Sequence, residues 1–139
     1  FDDYFNDLYK HFEFDAWEIF DDTIPFLKEL KRKGFKIIIT SNFDSRIFKV
    51  CDGLGISPYI DHFTISSQSG CAKPDKDFFL KSLNDSGSDI KNTIHIGDNP
   101  ELDYSACEKI GLKAFLIDRD EKINGDYVIN SLSSVLGKI

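Results

Sequence analysis

Four short runs rich in β-branched and aromatic residues, at positions 35–40, 63–66, 93–97 and 113–117, recur along the chain with helix-length segments between them. The first of them, Phe35-Lys36-Ile37-Ile38-Ile39-Thr40, is almost continuously apolar, the signature of a strand covered on both faces. Strands of this kind alternating with helices specify an α/β fold built on a parallel sheet. Right-handed crossovers then put helices on both faces and all strand C-termini along one edge, where ligands bind. The intervening segments read as helices near 23–33, 47–54, 75–84 and 102–110. The 23–33 helix carries a cap at Asp22 or Thr23, Pro25 in its first turn, Lys31-Arg32-Lys33 at its end and Gly34 beyond. Ahead of it, Phe5, Leu8, Tyr9 and Phe12 form one apolar stripe at helical spacing, predicting an amphipathic helix that ends near His11-Phe12 and is followed by an aromatic connector over 14–20. Residues 121–126 read as an exposed loop before a last short helix at 129–136.

At 139 residues and 15.9 kDa the chain is one domain's worth of polypeptide, with globular proportions of apolar and charged residues. Its net charge of −7 repels phosphate backbones and anionic lipids, so neither nucleic acid nor a membrane surface is expected as a partner. No run approaches the roughly 20 apolar residues of a membrane span, and no signal peptide is evident. Cys51, Cys71 and Cys107 are widely spaced, as are His11, His62 and His95, which predicts buried reduced thiols, no His/Cys metal site and an intracellular compartment, cytoplasmic or organellar. The chain contains no Met and opens abruptly on Phe1-Asp2-Asp3-Tyr4, so it reads as a piece of a longer protein.

Three polar clusters follow three of the strands: Ser41-Asn42, Lys73-Pro74-Asp75, and Asp98 with Asp103. Parallel topology gathers them at one edge. A hydroxyl, an ammonium and a carboxylate pair suit phosphoryl chemistry, with the hydroxyl and lysine on phosphate oxygens and the carboxylates on Mg²⁺. Taken singly, Ser41 also reads as a helix cap, Lys73 as a surface lysine stiffened by Pro74, and Asp98 as the turn residue of Gly97-Asp98-Asn99-Pro100.

The order of the three clusters resembles the haloacid dehalogenase-like (HAD) superfamily of hydrolases, in the subgroup of haloacid dehalogenase-like hydrolase domain-containing proteins. Ile37-Ile38-Ile39-Thr40-Ser41-Asn42-Phe43-Asp44-Ser45-Arg46 is similar to the family's second motif, with Ser41 as its hydroxyl. Cys71-Ala72-Lys73-Pro74-Asp75-Lys76-Asp77-Phe78-Phe79 resembles the third, with Lys73 as the phosphate-side cation. Ile94-His95-Ile96-Gly97-Asp98-Asn99-Pro100-Glu101-Leu102-Asp103 resembles the fourth, Gly-Asp-x-x-x-x-Asp. The resemblance implies catalytic roles for Ser41 and Lys73, substrate binding by Ser41, Asn42 and Lys73, and Mg²⁺ at Asp98 and Asp103. It also implies a HAD-like Rossmannoid sheet in which residues 1–20 are the remnant of a helical cap with its connector and 21–139 are the C-terminal part of the core.

The family's first motif, Asp-x-Asp-x-Thr on the central strand, supplies the nucleophile and is missing from this chain. Asp75-Lys76-Asp77 opens a helix, and Asp118-Arg119-Asp120 lacks the downstream threonine, so neither replaces it. The resemblance therefore implies a Mg²⁺-dependent hydrolase, a phosphatase of a small phosphorylated metabolite, that is active when complete and inactive as this chain alone. A missing N-terminal half or another chain would complete the sheet between the 37–39 and 94–96 strands. A non-catalytic HAD-like subunit is the alternative; a dehalogenase or a receiver-like phospho-acceptor fits the acidic pair and the order of motifs less well.

Overall fold

The computed structural model describes residues 9–11 and 17–139. β1 (Tyr9–His11) and β2 (Trp17–Ile19) form an antiparallel pair, Tyr9 opposite Ile19 and His11 opposite Trp17. Most of the 5–12 stripe expected as helix lies outside the described residues. Where it is described, at Tyr9–His11, it is strand, because over three residues an apolar spacing does not separate helix from strand and pairing with the β-favouring Trp17–Ile19 decides.

From Thr23 to Ile117 the strands and the helices between them follow in the expected order. α1 (Thr23–Arg32) buries Phe26 and Leu27 and ends where Gly34 turns with φ +86°. β3 (Ile38–Ser41) pairs in parallel with β4 (His62–Ile65), Ser41 opposite Ile65. The ladder starts later than the apolar run because Phe35 is exposed and Ile37 is tied to Asp61, whose carboxylate accepts from the Ile37 amide at 2.7 Å and from Lys31 Nζ at 2.7 Å. The Lys31 hydrogen bond, then the Ile37 amide, holds the Asp61 carboxyl below its usual range. α2 (Arg46–Gly53) and the single turn α3 (Ser66–Ser69) follow β3 and β4, and α4 (Lys76–Ser86) follows in turn. As expected, Asp75-Lys76-Asp77 opens α4: Asp75 is its N-cap, accepting from the Asp77 amide at 3.0 Å.

β5 (Ile94–Gly97) pairs in parallel with β6 (Lys113–Ile117), and β6 with the short β7 (Val128–Ile129). Between β5 and β6 the expected helix over 102–110 divides into a π-helical turn, Pro100–Ser105, and one α turn, α5 (Ala106–Lys109). The last helix expected at 129–136 is instead β7 followed by a 3-10 segment, Leu132–Gly137, since the exposed edge of β6 captures Val128 and Ile129.

Strand alternation sorts the side chains to two faces. On β6, Phe115 and Ile117 join Phe26, Ile39, Ile47 and Ile65 beneath α1 and α2, whereas Ala114 joins Phe79, Ala106 and Cys107 beneath α4 and α5. Helices therefore cover both faces. The hydrogen-bonded strands, however, form separate sheets, β3-β4 and β5-β6-β7. Between β3 and β5 lies a cavity of about 330 Å³ lined by Ile38, Thr40, Phe79, Ile94 and Ile96 among others. Among the described residues no helix is long and apolar enough to cross a membrane.

Cys51 and Cys107 are fully buried, and burial first, then the neighbouring Asp52 and Asp103 charges respectively, pushes each thiol up to about 12. Cys71 is only partly buried. Iodoacetamide labelling of the native protein read by peptide mass is expected to modify Cys71 first and to leave Cys51 and Cys107 intact until denaturant is added; early labelling of either buried thiol would contradict this packing.

Candidate active site

β3 ends on Ser41, which is fully buried and accepts the Phe43 amide on Oγ at 3.1 Å. This bond turns the chain away from the sheet and leaves Asn42 at the strand end. Asn42 reaches across to the loop before α4. Its Nδ2 donates to the Lys73 carbonyl at 3.0 Å, and its Oδ1 accepts the Lys73 amide at 2.9 Å. A loop without ladder partners is thus held at β3 by two side-chain bonds that mimic a backbone pair.

The Lys73 side chain is entirely buried, and its Nζ donates to Asp103 Oδ1 at 2.8 Å. Asp103 is in the π turn after β5, and the same Oδ1 lies 2.9 Å from His95 Nε2 while Oδ2 accepts the Asn99 amide at 3.1 Å. Asn99 caps that turn, its Oδ1 accepting from the Glu101 and Leu102 amides at 2.9 and 2.8 Å. Gly97 is required: a Cβ there would stand 2.2 Å from Asp103 Cγ, a clash with a side chain that cannot retreat. Burial pushes the Asp103 carboxyl up, but the His95 hydrogen bond and the His95 and Lys73 charges outweigh it and hold the group well below the usual carboxylate range.

Of the sequence-derived candidates the structure joins Asn42, Lys73 and Asp103 directly, Lys73 being clasped by Asn42 and seated on Asp103, while Ser41 ends β3 beside Asn42 and half-buried Asp98 follows Gly97 before the Asn99 cap. Asp103 sits as a support for Lys73, with both oxygens engaged by protein donors. In the sequence alone His95 is an isolated histidine. The signal that could have found it is a lone imidazole on the alternating strand Ile94-His95-Ile96-Gly97, because a histidine facing a buried layer needs a hydrogen-bond partner. Asp118, weighed as a substitute nucleophile, organises its own loop: Oδ2 accepts the Lys122 and Ile123 amides at 2.7 and 2.6 Å, and its backbone carbonyl accepts Asn130 Nδ2 at 2.9 Å.

Among the described residues no group of three or more His, Cys, Asp and Glu side chains is placed to hold a metal. Asp98 offers one carboxylate at the strand end. That donor fits Mg²⁺, which keeps several waters and takes one or two carboxylates beside substrate phosphate oxygens. Because Lys73 and Asp103 are a buried pair, removing one charge leaves the other poorly compensated: Lys73→Met is expected to cost about 3–5 kcal/mol in a denaturant titration, and the Lys73→Met/Asp103→Leu double variant less than the sum of the two single variants. Strictly additive costs would mean that the two groups are not coupled.

The family description "Hydrolase: haloacid dehalogenase-like hydrolase" matches residues 2–111. Mouse haloacid dehalogenase-like hydrolase domain-containing protein 3 is 27% identical over 129 residues, covering 87% of this chain and 51% of the relative. The ribulose-1,5-bisphosphate 5-phosphatase of Halopiger xanaduensis is 30% identical over 97 residues, covering 69% of this chain and 41% of the relative. Among solved structures, a HAD phosphatase from Thermococcus onnurineus superposes with a TM-score of 0.81 at 24% identity, over 88% of this chain and 58% of that one, a likeness of fold. The chain spans about half the length of the curated relatives it matches. The fold, the three strand-end clusters and the family match agree, and the chain belongs to the haloacid dehalogenase-like hydrolases, in the subgroup of the haloacid dehalogenase-like hydrolase domain-containing proteins.

Proposed function

We propose that this chain is the C-terminal portion of a Mg²⁺-dependent phosphohydrolase acting on a small phosphorylated metabolite, and that the segment bearing the nucleophilic aspartate seats between β3 and β5. The observation that carries the reading is the buried Lys73 ammonium, held by Asp103 and clasped at its backbone by Asn42 at the end of β3. Burying a cation this completely is costly, and a counter-carboxylate with fixed geometry offsets that cost at the place where transferred phosphoryl oxygens gather negative charge.

In this reading Lys73 and the Ser41 hydroxyl bind the phosphoryl oxygens, Asn42 keeps the Lys73 loop at the strand end, and Asp98 contributes a carboxylate to the metal. Mg²⁺, when bound, neutralises charge on the phosphoryl group and orients it for in-line attack. The incoming segment's aspartate takes the phosphoryl group from the substrate oxygen, forming an aspartyl phosphate that water then cleaves to inorganic phosphate. Phosphatase chemistry is supported by the clustered hydroxyl, lysine and carboxylate, and by the likeness to the Halopiger phosphatase.

The seat for the completing strand is supported by the unbridged interval between the two sheets and its cavity of about 330 Å³. Within it Thr40 is buried and its Oγ1 has no hydrogen-bond partner among the described residues, a cost that an entering backbone or side chain would relieve. The alternative, a non-catalytic HAD-like subunit, shares the seat and differs only in chemistry.

Two measurements test the proposal. The protein carrying an N-terminal Asp-x-Asp-x-Thr segment is expected to hydrolyse p-nitrophenyl phosphate only with Mg²⁺, Asp98→Asn abolishing the Mg²⁺ stimulation and Lys73→Ala lowering the rate by about 10²–10³. Absence of turnover with that segment folded in place would overturn the hydrolase reading and leave the subunit. Separately, adding the segment is expected to protect the β3 and β5 amides from hydrogen exchange, and unchanged exchange would remove the seat.

A further inference from the structure

The Lys73 side chain is a flexible four-carbon stem on a loop, and the group it rests on, Asp103, stands in a π turn. Neither is on a strand of the sheet. The third member of the cluster, His95, is on β5, whose ladder to β6 places it opposite Ala114. Its ring is buried and lies edge-on to the Phe79 ring of α4, centroids 5.3 Å apart at 78°, so strand and helix together orient the imidazole. Nε2 of that ring meets Asp103 Oδ1 at 2.9 Å, on the same oxygen that receives Lys73 Nζ at 2.8 Å. With the Asn99 amide on Oδ2, the carboxylate is held by three donors from strand, loop and turn, and its side chain is 1% exposed.

We propose that His95 is a positioning residue that locks the Asp103 carboxylate and, through it, places the Lys73 ammonium, and that Asp103 serves this cluster rather than ligating a metal. The geometry separates the two aspartates of the Gly97-Asp98-Asn99-Pro100-Glu101-Leu102-Asp103 segment into different tasks: Asp98 at the strand end, Asp103 turned inward under Lys73. A histidine that merely filled space beside Phe79 would be replaceable by an apolar side chain of similar size. A positioning histidine is replaceable only by a side chain that returns a donor near Nε2, as glutamine does.

The kinetic arm of the test rests on the hydrolase reading above, and the exchange arm does not. In the protein completed by its nucleophile segment, His95→Leu is expected to lower kcat for p-nitrophenyl phosphate by about 10–100-fold, with KM and the Mg²⁺ activation constant within about twofold, and His95→Gln to restore kcat to within about threefold. In parallel, native-state hydrogen exchange at the Asn99 amide is expected to speed up by about tenfold in His95→Leu and to return to the parental rate in His95→Gln, since that amide depends on a fixed Asp103. Parental kcat and exchange in His95→Leu, or glutamine no better than leucine, would overturn the positioning role. A raised Mg²⁺ constant in His95→Leu would overturn the inward task assigned to Asp103. If the parent protein shows no turnover, the hydrolase reading falls and the Asn99 exchange alone decides the proposal. Should His95→Leu fail to fold, His95→Asn replaces it, its amide being too short to reach Asp103 Oδ1.

Discussion

A carboxylate with almost no contact with water receives three donors from three different parts of the chain, and the arrangement of the strand-end residues depends on it. Asp103 draws Lys73 inward from a loop, His95 from a strand and the Asn99 amide from a turn. Remove the charge, and an ammonium and an imidazole each lose a partner in a buried layer where neither is well solvated. The local chain is shaped around this group. Gly97 is present because any side chain there would collide with Asp103, and the π turn lets the Asn99 carbonyl accept both the Asp103 and Tyr104 amides at 3.0 and 3.3 Å. Asn42 completes the frame from the other sheet by gripping the Lys73 backbone at both its amide and its carbonyl.

That grip matters because the hydrogen-bonded ladders themselves do not join. β3-β4 and β5-β6-β7 are separate sheets, and what links them is apolar packing, with Ile39 and Ile65 from one and Phe115, Ile117 and Ile129 from the other in a single cluster beneath α1 and α2. Hydrophobic contact is non-directional and tolerates an interval between backbones that hydrogen bonds would not. The strand-end residues therefore lie on both sides of a seam: Asn42 fixes the Lys73 loop on the β3-β4 side, and the Lys73–Asp103 bond is a directional interaction that reaches across to the β5 side. A second directional link ties the entrance of the core to its far end: Asp22, at the start of α1, accepts from Arg119 at 3.1 and 3.2 Å and from the Leu132 amide at 2.8 Å, while the Arg119 guanidinium stacks 3.9 Å from the Phe20 ring.

Much of this is legible in the sequence, since local rules carry it. The apolar run ending in Ser41, the cap at Asp75, the Gly34 stop and the alternation of strands and helices each follow from side-chain shape and backbone preference over a few neighbours. The illegible parts are those in which a distant partner outvotes a local pattern. Tyr9–His11 is strand because Trp17–Ile19 lies beside it, and Val128 and Ile129 leave a plausible helix to pair with the edge of β6. His95 looked like a solitary histidine because its partner is eight residues away in sequence across a turn whose π geometry has no simple signature.

The sequence by itself determined the α/β class, the order of the strand-end clusters and the residue types gathered there, because hydrophobic period and motif spacing are one-dimensional properties of the chain. Only the tertiary structure decided which of those residues face one another: that Asn42 grips Lys73, that Asp103 turns inward to share one oxygen between Lys73 and His95, and that two sheets stand apart around buried Thr40. The physical reason is that hydrogen bonding and ion pairing act over a few ångströms with fixed directions. Residues 31 positions apart, as Asn42 and Lys73 are, meet only when the whole packing brings their backbones to the same edge.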